Sequence, residues 1–256
     1  RDLQIKTIPK RQEFSPVPLS FSQKRLWVLD RLLPGSAVYN LPTAMQIKGG
    51  LDLPIFERAV NELIRRHETL RTIFKMEDEE PVQEILPELH YKINVIDLSH
   101  LEAPGKEKET YRYTAEEAGK PFDLERGPLL RIILLSHSVD THVIIYTMHH
   151  IITDAWSNEL FGRDLVAIYR AFLAGKPSPL PELAVQYADF AMWQRKRFRG
   201  DELQKQLSYW KSILSGEIPT LELPVDYQRP AILTYKGKRR IFQLPESLTP
   251  RLTRLT

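Results

Sequence analysis

Cysteine is absent from all 256 residues. That absence removes disulfides, thiolate nucleophiles and cysteine-bound metals together. It suits a reducing, cytoplasmic setting. Long hydrophobic runs are missing too. No apolar stretch approaches the ~18–20 residues of a membrane span, and the polar N-terminal region has no signal-peptide character. Neither sign of charge dominates, since 36 basic residues face 33 acidic ones for a net charge of +3. The surface is therefore mixed, and nucleic acid is not an implied partner. Repeats and low-complexity tracts are absent as well. What remains is a 42% hydrophobic chain, able to bury a sizeable core as one large domain or two small ones.

One stretch organises the rest. Thr141-His142-Val143-Ile144-Ile145-Tyr146-Thr147 is apolar and β-branched, and predicts a buried strand. Met148, His149 and His150 follow, then Ile151-Ile152-Thr153-Asp154-Ala155-Trp156-Ser157. From Asn158 to Ala174, apolar residues recur at helical spacing until Gly175 supplies a stop. Side chains alternate across a strand, so His149 and His150 are expected to point to opposite faces, with one facing a cavity and the other tied into the fold. The same divergence argues against metal: His149, His150 and Asp154 do not converge, and there is no second cluster. Ser157 reads as an N-cap rather than a nucleophile, because no Gly-x-Ser-x-Gly elbow surrounds it.

Elsewhere the pattern alternates. Residues 1–18 contain three prolines and predict an incoming linker. A helix begins at Ser20 or Ser22, and a strand covers Tyr39 to Lys48. Asp52 and Pro54 open a strong helix with Ile55, Phe56, Ala59, Val60, Leu63 and Ile64 on one face. Strands are predicted over Arg71–Met76, Pro81–Leu86 and Tyr91–Leu98, and a charged helix over Lys106–Lys120. Leu129–Ser136 and His142–Met148 form a hairpin. Two helices follow, around Tyr187–Trp193 and over Asp201–Leu214. Leu221–Pro224 and Gly237–Leu244 are extended, and a last helix starts at Glu246. Trp27, Trp193 and Trp210 are read as core or interface aromatics.

Four segments in order resemble the condensation domain of nonribosomal peptide synthetases. They are Ser20-Phe21-Ser22-Gln23-Lys24-Arg25-Leu26-Trp27; Arg66-His67-Glu68-Thr69-Leu70-Arg71-Thr72-Ile73-Phe74; His149 to Ala155, matching two histidines, three variable residues, aspartate and glycine; and Tyr187-Ala188-Asp189-Phe190-Ala191-Met192-Trp193. The likeness spans roughly residues 18–256. It implies an α/β fold of the chloramphenicol-acetyltransferase type, a sandwich of a mixed sheet with flanking helices forming one lobe of a two-lobe domain. The implied organisation is a linker over 1–18, the N-terminal lobe over 19–245 and the start of a second lobe over 246–256, so the chain is expected to be a fragment. Ala155 stands where the family usually has glycine, and a methyl group there limits φ > 0 and crowds a nearby substrate.

The resemblance implies amide formation between a donor aminoacyl or peptidyl thioester and an acceptor amine. Both would ride on phosphopantetheine arms of donor and acceptor peptidyl carrier domains, beside an adenylation domain, with no cofactor bound directly. His150 is the implied functional residue, as general base, as a group holding the amine, or as stabiliser of the tetrahedral intermediate. His149 is assigned to structure. Asp154 either ties the loop through a salt bridge, as in the family, or simply opens the helix. The Ala155 and Trp156 amides lie near a helix N-terminus and could favour negative charge. Arg71 either bonds to the active-site loop or makes an architectural ion pair. Alternatives are an epimerisation domain of the same superfamily, an acyltransferase using a coenzyme A thioester, and a non-catalytic carrier-docking scaffold.

Overall fold

Apolar alternation in the strands and 3.6-residue stripes in the helices sort this chain into layers. A computed structural model describes residues 7–12, 17–228, 237, 240 and 242–254. In chain order come β1 (Val17–Pro18), α1 (Phe21–Leu32), β2 (Asn40–Lys48), α2 (Leu53–Arg66), β3 (Thr72–Glu77), β4 (Glu80–Ile85), β5 (Asn94–Asp97), α3 (Ala103–Gly119), β6 (Leu130–Ser138), β7 (Thr141–His149), α4 (Ala155–Leu173), α5 (Tyr187–Arg197), α6 (Gly200–Ile213) and α7 (Thr249–Thr253). The chain divides into two compact units, Arg1–Leu214 and Ser215–Thr256. The first holds all described strands and α1 to α6; the second holds α7.

The main sheet runs β2-β7-β6-β5, with β5 parallel to β6 and the other pairs antiparallel. It is therefore mixed, as the fold class requires. Residues opposed across an antiparallel pair share a face. Thr43 thus lies beside Tyr146, Met45 beside Ile144 and Asn40 beside His149. Ile144, Tyr146 and Met148 pack into a core with Phe56, Leu63 and Ile64 of α2 and Phe161 and Leu165 of α4. On the other face, Val143 and Ile145 pack with Leu98 and with Tyr113 of α3. One face of β7 thus serves α2 and α4, and its opposite face serves α3.

Local signals explain the boundaries. Asp52 caps α2, its Oδ1 accepting from the Ile55 amide at 2.9 Å, with Pro54 in the first turn. Ser20 caps α1 in a capping box with Gln23. Between β3 and β4, Asp78 and Glu79 have φ of 47° and 65°, the backbone of a two-residue hairpin turn whose twist matches the strands.

The structure departs from the sequence expectation at several points. Val17 and Pro18, assigned to the linker, pair with Gln83 and Val82 to complete a three-stranded sheet β1-β4-β3. Arg11, also in that linker, is buried between Glu68 and Asp189 at 2.7 and 3.1 Å. β5 is shorter than Tyr91–Leu98, Leu221–Pro224 forms no strand, and of Gly237–Leu244 residues 238, 239 and 241 lie outside the described residues while the others form no strand. Trp210 is not a core aromatic: α6 buries no residue, and Trp210 is exposed against Tyr209.

Leu63 is 0% exposed and Leu207 on α6 is 41% exposed. Leu63→Ala should cost about 2–5 kcal/mol and Leu207→Ala less than about 0.5 kcal/mol, read from urea midpoints. Equal losses would contradict the layer arrangement.

Candidate active site

The two histidines separate where β7 ends. His149 is the last strand residue and is 2% exposed, on the α3 face beside Asn40. Its ring meets Tyr39 and Phe122 edge-on at 6.3 and 6.2 Å. Its Nδ1 accepts from the Ile151 amide at 3.1 Å, so in the neutral ring the proton sits on Nε2. Burial, and secondarily the neighbouring His150, pushes its pKa down to about 4. Near neutral pH the buried His149 ring is therefore uncharged.

His150 stands in the turn after the strand and is half-buried. Its amide donates to the Tyr39 carbonyl at 2.8 Å, which anchors the backbone to the start of β2. Its ring Nδ1 lies 2.7 Å from the Thr153 carbonyl oxygen. A carbonyl only accepts, so Nδ1 carries the proton, and the neutral ring keeps its lone pair on Nε2. The adjacent imidazoles therefore adopt opposite tautomers. His150 is the one whose Nε2 can accept a proton or a hydrogen bond from an amine.

Asp154 is the N-cap of α4. Its Oδ1 accepts from the Ser157 amide at 2.8 Å and the Ser157 hydroxyl at 2.7 Å. These bonds, with smaller contributions from His150 and the Trp156 amide, lower its pKa. Asp154 thus opens the helix, and no salt bridge to it forms among the described residues. Ser157 is not the cap but the residue that the cap bonds. The Asp154 carboxylate already occupies the helix N-terminus, so the Trp156 and Ser157 amides are engaged with an anion rather than open to another. Ala155 opens the helix without strain: among the described residues the non-glycine ones with positive φ are Asp78 and Glu79, so the methyl group forces no left-handed backbone. Its side chain instead borders an open cavity of about 790 Å³ with Thr43, Met45, Tyr146, Asn158 and Val166. The Trp156 side chain is 73% exposed at the same helix end.

Arg71 does not join this loop. It closes a 3-10 turn, Glu68–Arg71, donates to the Leu86 carbonyl and lies 4.0 Å from Glu68. The second and fourth sequence motifs are instead knitted together. Arg11 bridges Glu68 and Asp189, Gln186 Nε2 donates to the Arg66 carbonyl at 2.9 Å, and Arg66 donates to the Pro181 carbonyl. Residues that the sequence did not single out also shape the site. Thr153 and Tyr39 act through main-chain carbonyls, which leave no side-chain signal. Asn40 donates to the carbonyls of Ala118 and Lys120 at 2.9 and 2.8 Å, holding the end of α3 against the His149 side. Among the described residues no three histidine or carboxylate side chains converge as a metal site would need, and no helix is long and apolar enough to cross a membrane.

Comparison with known proteins places this geometry. The Condensation domain family model matches residues 14–256. A linear gramicidin synthase of Brevibacillus parabrevis is 45% identical over 240 residues, covering 94% of this chain and 5% of that protein. Phosphinothricin tripeptide synthetase PhsC of Streptomyces viridochromogenes is 42% identical over 246 residues, covering 96% of this chain and 23% of that protein. The chain thus spans a small part of the curated relatives it matches. The X-domain from teicoplanin biosynthesis superposes with a TM-score of 0.75 at 30% identity, covering 89% of this chain and 49% of that one. The starter condensation domain of rhizomide synthetase RzmA superposes with a TM-score of 0.71 at 21% identity, covering 78% and 48%. That last likeness speaks to the fold, which is the chloramphenicol-acetyltransferase-like one.

The His149 environment has a pH consequence. The unfolded chain, with an ordinary histidine value near 6.5, takes up a proton before the folded chain does at about 4. Stability is therefore full above pH ~6.5 and falls as pH drops towards 4, by up to about 3 kcal/mol. His149→Asn should flatten that slope in urea unfolding between pH 7 and 4.5; parallel wild-type and variant curves would contradict the assignment.

Proposed function

This chain belongs to the condensation-domain family of nonribosomal peptide synthetases, and on that premise we propose that it forms an amide bond between two carrier-bound substrates. The donor is an aminoacyl or peptidyl thioester and the acceptor an aminoacyl amine, each on the phosphopantetheine arm of a peptidyl carrier domain, within a synthetase that also holds an adenylation domain. The observation that carries the reading is the 2.7 Å contact from His150 Nδ1 to the Thr153 carbonyl. It leaves Nε2 as an acceptor.

An amine must lose a proton as it attacks, and a histidine with an Nε2 lone pair suits that step. The amine nitrogen bonds to the thioester carbon, and the carbonyl π electrons move onto oxygen. Nε2 of His150 takes a proton from nitrogen. Collapse of the tetrahedral intermediate reforms the carbonyl and breaks the C–S bond, and the sulfur leaves with the proton returned from His150. No covalent enzyme intermediate is needed, in keeping with a chain that has no cysteine. Of the roles that the sequence leaves open, the tautomer favours accepting from the amine. A neutral Nδ1-protonated ring has no Nε2 proton to donate to an oxyanion. His149, Asp154 and Ser157 hold the loop, while Ala155 borders the cavity beside it and Trp156 is exposed at the same helix end.

Single-turnover transfer from a donor-loaded to an acceptor-loaded carrier, in the synthetase module containing this chain, tests the reading. His150→Ala should slow transfer by about 10²–10⁴-fold, while Asp154→Asn, which preserves a cap, should act mainly on stability. Carrier binding with unchanged transfer in His150→Ala would overturn the catalytic role. Binding without any transfer by the wild type would mark a docking scaffold instead.

A further inference from the structure

A cavity of about 370 Å³ lies between the second half of α2, the β4–β5 connection and the last turn of α4. Phe172, on its wall, stands about 26 Å along the α4 axis from Ala155 at a rise of ~1.5 Å per residue. The cavity is therefore separate from the His150 loop. Ile64, Leu89 and Phe172 make its apolar side; Arg58, Arg71 and His90 bring cationic and polar groups.

The charges there are not balanced alike. Arg65 also borders the cavity, but it is matched by Glu62 at 2.8 Å and Glu182 at 2.5 Å. Arg71 is poorly matched. Its side chain is 15% exposed, and its nearest carboxylate, Glu68, is 4.0 Å away. That same Glu68 oxygen already receives Arg11 at 2.7 Å. Burial lowers the Arg71 pKa, Glu68 offsets part of this, and Arg11 and Arg65 lower it further. Arg58 forms no ion pair among the described residues, and its guanidinium carbon lies 4.0 Å from the Phe172 ring centroid. On the acidic side are Glu62, committed to Arg65, and Glu88, exposed at the rim. A largely buried cation without a close counter-ion is costly, and a guanidinium fork matches an oxyanion in geometry as well as charge. A cavity of this size suits a small molecule.

We propose that this cavity binds a phosphate monoester with a compact apolar body. The phosphate sits between Arg58 and Arg71, and the apolar body lies against Leu89 and Phe172. The site does not depend on the amide-forming reaction at His150.

Isothermal titration of the full protein with phenyl phosphate, inorganic phosphate and benzoate tests the proposal. Phenyl phosphate should bind at least about tenfold more tightly than inorganic phosphate, because only it fills the apolar side. Arg58→Gln and Arg71→Gln should each weaken it about tenfold or more, as expected for losing a charged hydrogen-bonding partner. Glu88→Gln should tighten it, and His150→Ala should leave it unchanged. Arg58 is exposed, so its variant keeps the test open if Arg71→Gln does not fold. The proposal is overturned by no binding of phenyl phosphate at millimolar concentration, or by equal affinity in the Arg58 variant. Benzoate binding as tightly as phenyl phosphate would overturn the phosphate assignment, and a changed affinity in His150→Ala would overturn the independence from the reaction site.

Discussion

A β-strand turns successive side chains to opposite faces, and at the end of β7 that constraint falls on two consecutive histidines. His149 goes inward on the α3 face, where burial among rings holds it neutral and a main-chain amide bonds its Nδ1. His150 is released into the turn, where one carbonyl fixes its proton on Nδ1. The rest of the first unit supports this divergence. Apolar residues of β7 alternate between the α2–α4 core and the α3 core, so a one-residue slip in register would exchange the two histidines. Continuous pairing with β2 from Asn40–His149 to Lys48–Thr141 locks that register. Asp154 then starts α4 directly after the turn, so the loop is held at both ends.

Two of the sequence motifs are joined to each other by buried ion pairs. Residues 66–74 and 187–193 contain charged groups that look chemical in a linear reading, yet they meet each other around Arg11. Asp189 accepts from the Gln186 amide at 2.8 Å and from Arg11 through both main chain and side chain. Removing one member of such a buried network leaves an unpaired charge, which costs several kcal/mol. This is reason enough for those residue types without any contact to substrate. Arg71 differs in that its carboxylate is shared and the residue borders a cavity.

The strongly periodic elements are legible in the sequence. α2 is readable because Phe56, Ala59, Val60, Leu63 and Ile64 recur on one face behind an Asp-x-Pro start. The β6–β7 hairpin is readable because both strands are continuous apolar runs. That His149 turns inward follows from strand alternation, whereas His150 lies in the turn just beyond the strand. What escapes a linear reading is set by partners distant in sequence or by main-chain groups. β1 is two residues long and exists because Val17 meets Gln83. Tyr91 to Ile93 look like strand, but the Tyr91 amide donates to Asn61 and the Ile93 amide to Glu57, leaving neither for a ladder. Ser157 resembles a cap and so suggests a late start for α4, whereas Asp154 lies one turn earlier and bonds it. No residue type at position 153 could announce that its carbonyl selects the tautomer of His150.

The tautomer of His150 is therefore the most direct measurement. A long-range ¹H–¹⁵N spectrum of the histidine rings, recorded near neutral pH with His150→Gln for assignment, distinguishes the two ring nitrogens. His150 should show a protonated Nδ1 and an unprotonated Nε2, with the opposite pattern at His149. A His150 ring protonated on Nε2 and bare on Nδ1 would contradict the hydrogen bond to Thr153 and remove the acceptor on which the proposed chemistry rests.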